Sequence, residues 1–309
     1  MGGSGGGGGS FYGPSSAGFQ KKVEYLRERE RERFVGEVND YLQHLLAVFN
    51  DRDVESRKEK LAAITSLLSD VVEVDSVLLG GSVAKHTDVN GLSDVDALVI
   101  LDRDAHRDES PGELLREFEK KCNRDLPRSE VESVRRGTLA VTVLYRDGTE
   151  VQLLPALRSR QTISIPSADG NQWNDTKPRV FQRELNRANE RLNQSLVPTI
   201  KLAKAVNDGL PEQRRLTGYH LEALALESAK THDGPKIPRS LLLHVLDHAS
   251  NRVLQPMRDV TGQSRTIDDY LGAANSAQRR GISQALTALK RQLESARSLG
   301  EWKAVFKES

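Results

Sequence analysis

Leu78 to Leu101 read LLGGSVAKHTDVNGLSDVDALVIL, and the order of residue types in that stretch decides the fold. An apolar strand, Val77 to Leu79, runs into Gly80, Gly81 and Ser82. A polar helical turn follows, and a second strand then carries Asp94 and Asp96 one residue apart. Strand side chains alternate, so the two aspartates share a face while Val95 and Ala97 take the core side. Two carboxylates on one face suit a hard divalent cation such as Mg²⁺ bound to nucleotide phosphates. Glycines let the backbone approach a phosphate closely, and the turn after them aims N–H groups at the anion. A lone DxD is common in surface loops. Joined to Gly-Ser at this spacing, between apolar strands, it points to nucleotide chemistry.

These residues resemble the signature of the polymerase-beta-like nucleotidyltransferases. The wider pattern resembles the bacterial CD-NTases, relatives of cyclic GMP-AMP synthase and the oligoadenylate synthetases. That pattern includes a later strand ending Leu153-Leu154-Pro155-Ala156, and Leu216-Thr217-Gly218-Tyr219-His220-Leu221-Glu222 in a helical C-terminal half. The likeness runs from about Val38 to Phe306. It implies an α/β (α+β) fold: a nucleotidyltransferase palm with a mixed sheet, then a helical C-terminal lobe, with the active site in the cleft between them. It further implies an enzyme that joins nucleoside triphosphates, ATP foremost, into a cyclic di- or trinucleotide messenger of CBASS-type anti-phage signalling. The messenger would reach a separate effector; whether a regulatory protein or a nucleic acid activates the enzyme is left open by the residues.

In the resembled family three acids hold two metal ions, Mg²⁺ or alternatively Mn²⁺. The third acid sits three residues before a Pro-Ala pair, where this chain has Gln152, in Glu150-Val151-Gln152-Leu153-Leu154-Pro155-Ala156. Three readings stay open. Glu150, on the same strand face, supplies the charge as metal ligand or general base. Alternatively Asp94 and Asp96 work alone with the substrate phosphates. In the third reading the site binds nucleotide without turning it over, as a sensor. Transfer of nucleotides to an RNA end or a protein is the rival enzymatic reading.

The remaining candidates carry weaker signals. Gly81 and Ser82 are expected at the triphosphate, Ser82 through its hydroxyl and backbone N–H. Lys204 fits the family's phosphate-contacting lysine better than its neighbour Lys201 does. Tyr219 is a candidate for stacking on a base or supporting the cleft. Lys85 and His86 read as solvated side chains. The seven histidines show no HExxH-type spacing, which argues against zinc.

Composition narrows the classes. Lys+Arg 45 against Asp+Glu 44 gives a net charge of +1 over 309 residues, without the surplus a nucleic-acid binder carries. The single Cys122 excludes an internal disulfide framework and fits a reducing compartment. No apolar run approaches the ~20 residues that span a bilayer. A soluble, cytoplasmic protein is therefore expected.

The first 18 residues read as a disordered Gly/Ser tail. The palm with its N-terminal helices is expected over 19–165, and the helical lobe closing the cleft over 166–309. A long helix from Phe19 to Asn50 carries an Arg/Glu face (Arg27 to Arg33), then a core stripe through Phe34, Val38, Tyr41, Leu42, Leu45 and Phe49. Ser110-Pro111 opens a helix, and Asp147-Gly148 turns a hairpin between Leu139–Tyr145 and Thr149–Leu154. Arg158 to Pro178 reads as a polar loop over the cleft. Pro198 kinks a helix or marks its boundary.

Overall fold

The computed structural model describes residues 16–51, 54–70, 72–90, 94–106, 108–159, 162–167, 169–176, 178–261 and 265–306. Most of the expected Gly/Ser tail, residues 1–15, lies outside them. In chain order the elements are α1 (Ser16–Asn50), α2 (Val54–Ser69), β1 (Val74–Leu79), α3 (Gly81–Ala84), β2 (Val95–Asp102), α4 (Pro111–Asp125), β3 (Val131–Arg136), β4 (Val141–Tyr145), β5 (Glu150–Arg158), β6 (Ile163–Pro166) and β7 (Trp173–Thr176). The helices α5 (Pro178–Arg191), α6 (Leu196–Asp208), α7 (Gly218–Ser228), α8 (Pro238–Arg252), α9 (Ala277–Ser295) and α10 (Leu299–Lys303) follow. This is the mixed α/β palm and helical lobe that the resemblance implied.

The sheet runs β1-β2-β5-β4-β3, with β6 on β5 and β7 on β6. Among the described strands only β2 and β5 are parallel; the other pairs are antiparallel. The alternation in β2 explains its two-sided burial. Val95, Ala97, Val99 and Leu101 pack under α2 and α4 with Ile64, Leu68, Leu114 and Phe118. Ile100 faces the other way and packs with Ala156 and Ile165. Helix α4 starts where Ser110-Pro111 placed it, and Glu113 closes a capping box on the Ser110 backbone N–H at 2.7 Å. Gly148, at φ 83°, turns the β4–β5 hairpin beside Asp147.

The stretch expected as a loop over the cleft is instead the β6–β7 hairpin. Ile163 and Ile165 alternate with the buried Ser164, whose hydroxyl donates to Asp175 at 2.5 Å, and Trp173 Nε1 donates to the Glu109 carbonyl at 2.9 Å. These short strands hid among prolines and polar residues. Their ladder carries the sheet to Thr176, beyond the expected palm limit at 165. Strand β3 also escaped the sequence reading, because an edge strand with exposed Glu132, Arg135 and Arg136 shows little apolar alternation.

The second core belongs to the helical lobe. Val38, Leu42 and Leu46 of α1 pack there with α5 to α10, so α1 is a spine of that lobe, whereas α2 packs on the sheet. Pro198 stands in the first turn of α6, where its missing N–H costs no helical bond. Arg279, fully buried, ties the lobe by donating to Asp268 at 2.7 Å and to the Val253 carbonyl at 2.9 Å. Among the described residues no helix is long and apolar enough to cross a membrane.

Candidate active site

The turn after β1 is shaped by Asp96. The Gly80 N–H donates to the Asp96 carbonyl at 2.7 Å, extending the β1–β2 ladder by one rung. Gly81 then adopts φ +51° with its Cα against the aspartate side chain; a Cβ there would lie 1.5 Å from Asp96 Oδ2. Both the torsion and the space demand glycine. The Ser82 backbone N–H donates to the Asp96 carboxylate, so the short α3 turn is seated on that aspartate.

Register sets the acid row. In the parallel β2–β5 pair Asp96 stands opposite Gln152. Gln152 Nε2 donates to Asp94 Oδ2 at 2.8 Å and to Glu150 Oε1 at 3.4 Å. Burial, then the negative charges of Glu150 and Asp96, push the Asp94 carboxyl up to about 6, with the Gln152 hydrogen bond opposing them. Asp96 is also raised, by burial, while Lys85 opposes. Among the described residues no three His, Cys, Asp or Glu side chains are gathered to hold a metal ion, because an amide stands between Asp94 and Glu150. Asp94 and Asp96 nonetheless suit a divalent cation: both are hard oxygen donors whose mutual repulsion a positive ion relieves.

The cleft is a cavity of about 700 Å³ between the two lobes. The palm contributes Gly81, Ser82, Lys85, Asp94, Asp96 and Gln152. The lobe contributes Lys204, Asn207, Asp208 and Arg215, and Leu216 through Tyr219 with Glu222. The cavity volume matches a nucleotide-sized ligand, and its polar groups come from both walls. Glu150 lies behind Gln152 and does not line it, and none of the described residues of the β6–β7 hairpin lines it either.

The lysines take separate places, and only Lys85 departs from its expected one. Lys204 Nζ enters the cleft and donates to Glu222 at 2.7 Å and to the Thr87 carbonyl at 3.0 Å. Lys201 points instead to Asn50 Oδ1, 2.6 Å away, at the end of α1. Lys85, expected in solvent, is largely buried; it pairs with Glu222 and sits 5.1 Å from the ring centres of both Phe181 and Tyr219. His86 is exposed. Tyr219 packs on Phe181 with centroids 5.2 Å apart, and its hydroxyl donates to Asp259 at 3.0 Å, so it forms a fixed wall of the cleft.

Glu222 is a cleft residue that the sequence reading passed over. It is 1% exposed, and its Oε1 accepts from Thr87 Oγ1 at 2.5 Å as well as from Lys204. Burial works to raise its pKa, yet Lys85 and Lys204 outweigh burial and hold it below its usual value. The available signal was one carboxylate inside the apolar run Leu221-Glu222-Ala223-Leu224-Ala225-Leu226. Cys122 lines a separate cavity of about 230 Å³ against α4 and β3. Burial pushes its thiol up to about 12, which leaves it protonated and inert.

A palm sheet that presents paired aspartates to a glycine-serine turn, closed by a helical lobe, is the polymerase-beta-like nucleotidyltransferase fold. Residues 37–189 match the family model described as Second Messenger Oligonucleotide or Dinucleotide Synthetase domain. Residues 37–189 are thus a second-messenger oligonucleotide or dinucleotide synthetase domain, and the chain is a nucleotidyltransferase of the kind the CD-NTase resemblance implied. Among solved structures, the fold is shared with the Bradyrhizobium diazoefficiens CD-NTase CdnG in complex with GTP, at TM-score 0.67 and 16% identity over 87% of this chain and 95% of that one. Escherichia coli MS115-1 CdnC with ATP gives TM-score 0.61 and 16% identity, over 82% of this chain and 91% of that one. The Vibrio cholerae cyclic AMP-GMP synthase DncV, with its linear intermediate, gives 0.59 and 14%, over 93% and 90%. No curated protein matches the sequence.

Proposed function

We propose that this chain condenses nucleoside triphosphates, with release of pyrophosphate, into a cyclic di- or trinucleotide second messenger that serves anti-phage defence from the cytoplasm. The observation that carries the reading is the joint placement of Asp94, Asp96, Ser82 and Lys204 around one nucleotide-sized cleft. In the reaction a ribose hydroxyl attacks the α-phosphorus of a triphosphate and the bond to the β-phosphate oxygen breaks. For a dinucleotide a second such attack within the linear product closes the ring; a trinucleotide takes one further condensation before closure, with one pyrophosphate released at each step.

Asp94 and Asp96 would hold Mg²⁺, or Mn²⁺ in its place, which neutralises triphosphate charge and lowers the pKa of the attacking hydroxyl. The Gly81-Ser82 turn and Lys204 orient the triphosphate, and the Tyr219 wall faces the nucleoside. Glu150 is the candidate for the third charge, acting from behind Gln152. The complexes of the similar structures support nucleotide substrates: GTP with CdnG, ATP with CdnC, and a linear 5′-pppA(3′,5′)pG intermediate with DncV. A complex of CdnC with a HORMA protein favours a regulatory protein partner here as well.

One observation favours a second reading, a nucleotide-binding sensor: the uncharged Gln152 occupies the place between Asp94 and Glu150. Incubation with all four NTPs and Mg²⁺ or Mn²⁺, followed by phosphatase treatment and mass spectrometry, separates the alternatives. A phosphatase-resistant cyclic product supports the proposal. Growing linear oligomers, or label transferred to added RNA or protein, support the transferase. Binding without any turnover in either metal supports the sensor.

A further inference from the structure

Two lysines cross the cleft floor in opposite directions and meet at one buried carboxylate. Lys85 leaves the palm, just after α3, and enters the helical lobe between the rings of Phe181 and Tyr219 to pair with Glu222. Lys204 leaves the lobe from α6 and reaches back to the palm, donating to the Thr87 carbonyl at 3.0 Å while it holds Glu222 at 2.7 Å. Thr87 closes the circuit by donating its hydroxyl to Glu222 at 2.5 Å. Lys85, Lys204 and Glu222 are each nearly enclosed, at 13%, 10% and 1% side-chain exposure.

From this geometry we infer that Glu222 and Lys85 are positioning residues for nucleotide transfer, a cross-lobe latch that sets the width of the cleft and aims Lys204 at the triphosphate. The inference rests on reading the cleft as an NTP site. Its physical basis is the cost of a buried, unpaired charge. Glu222 without its lysines, or Lys85 without Glu222, would be stranded away from water, so the lobes stay in the one spacing that satisfies both. The ring faces of Phe181 and Tyr219 add a favourable seat for the Lys85 ammonium. The latch lies beside Ser82 and Asp96 but does not replace them. Its removal therefore shifts the two walls relative to each other and leaves the acid row, which is fixed by the β2–β5 register, in place.

Glu222→Gln, Lys85→Met and Lys85→Arg test the latch in the full chain. Gln keeps the shape of Glu222 and Met keeps the length of Lys85, while Arg keeps the cation and its contact with the rings. Hydrogen–deuterium exchange without nucleotide should quicken at residues 82–89 and 218–228 in Glu222→Gln and Lys85→Met, with β2 and α4 unchanged. The Kd for α,β-methylene ATP should rise about tenfold, and the KM for ATP should rise more than kcat falls, because positioned binding rather than the acid row is lost. Lys85→Arg should restore most of both. The double variant should be little worse than either single one, as expected for partners in one interaction.

A purely structural role would lower the melting temperature and leave the Kd of the folded protein unmoved. Folded Glu222→Gln and Lys85→Met with wild-type exchange and wild-type Kd would overturn the inference. If Glu222→Gln does not fold, Lys85→Met and Lys85→Arg decide it by the same readings. A wild type that binds no nucleotide would instead overturn the proposed function, and the exchange measurements would still decide the latch.

Discussion

Gln152 Nε2 lies 2.8 Å from Asp94 Oδ2, so the residue that stands where the resemblance implied a third acid spends its amide donor on one of the paired aspartates. The hydrogen bond partly offsets the repulsion that Glu150 and Asp96 exert on Asp94. A neutral donor thus stands between Asp94 and Glu150, the acid that follows Asp94 and Asp96 in this row.

Gln152→Asp and Glu150→Gln distinguish the ways such a row can work. If Glu150 supplies the missing charge, Glu150→Gln removes turnover nearly as fully as loss of an aspartate, while Gln152→Asp leaves activity equal or higher. If Glu150 only flanks the row, its change alters stability by less than about 0.5 kcal/mol and leaves product yield untouched. Pyrophosphate release by the two purified variants, measured against wild type, is the check.

Asp94→Asn and Asp96→Asn should each lower turnover on the order of a thousandfold with the fold retained, since each removes charge with little change of shape. Pyrophosphate release and circular dichroism measured together check this. Near-wild-type rates in both variants would refute the metal-site reading.

The raised Asp94 carboxyl carries a pH dependence. Its folded-state pKa of about 6 stands above the ordinary 3.8, so the folded chain binds that proton more tightly than the unfolded chain does. Stability without divalent metal is therefore lost as pH rises through that window, roughly from 4 to 6. Asp94→Asn should melt a few degrees above wild type at pH 7.5 in chelator, and the gap should close by pH 4. Added Mg²⁺ should raise the wild-type melting temperature at pH 7.5 and leave that of Asp94→Asn nearly unmoved. Thermal scans at the two pH values check each part.

Gly81→Ala should be damaging out of proportion to its size. The new methyl group meets Asp96 Oδ2 at 1.5 Å on a backbone at φ +51°, so either the turn or the aspartate must move. We expect a stability loss of about 1–3 kcal/mol from the strained conformation and the overlap. Turnover should drop at least as far as in Asp96→Asn. Gly148→Ala at the distant hairpin, also at positive φ but with open space around it, is the control. It should cost stability and spare activity.

Much of this protein was legible in its residues because the information was local. Alternation through Val95, Ala97 and Val99 placed Asp94 and Asp96 on one face, and Gly80-Gly81-Ser82 after an apolar strand marked the turn beside them. Ser110-Pro111 and Asp147-Gly148 announced a helix start and a hairpin through backbone preferences of their own. Strands β3, β6 and β7 were not legible: β3 and β7 are short edge strands, β6 is a four-residue strand between β5 and β7, and their pairing comes from the neighbouring strand more than from their own pattern. The assignment of α1 was decided only in the tertiary structure, since its apolar stripe states that it packs but not on which partner.

The same holds for the charges. Lys85 looks like any surface lysine in sequence, and Glu222 stands 137 residues after it, in a helix of the other lobe. Their pairing exists only because the β1–β2 turn and α7 are folded against one another, and burial then makes each charge depend on the other. A chain encodes periodicity and turn chemistry in neighbouring residues. Which buried charge neutralises which is settled by distances that arise only when distant segments pack.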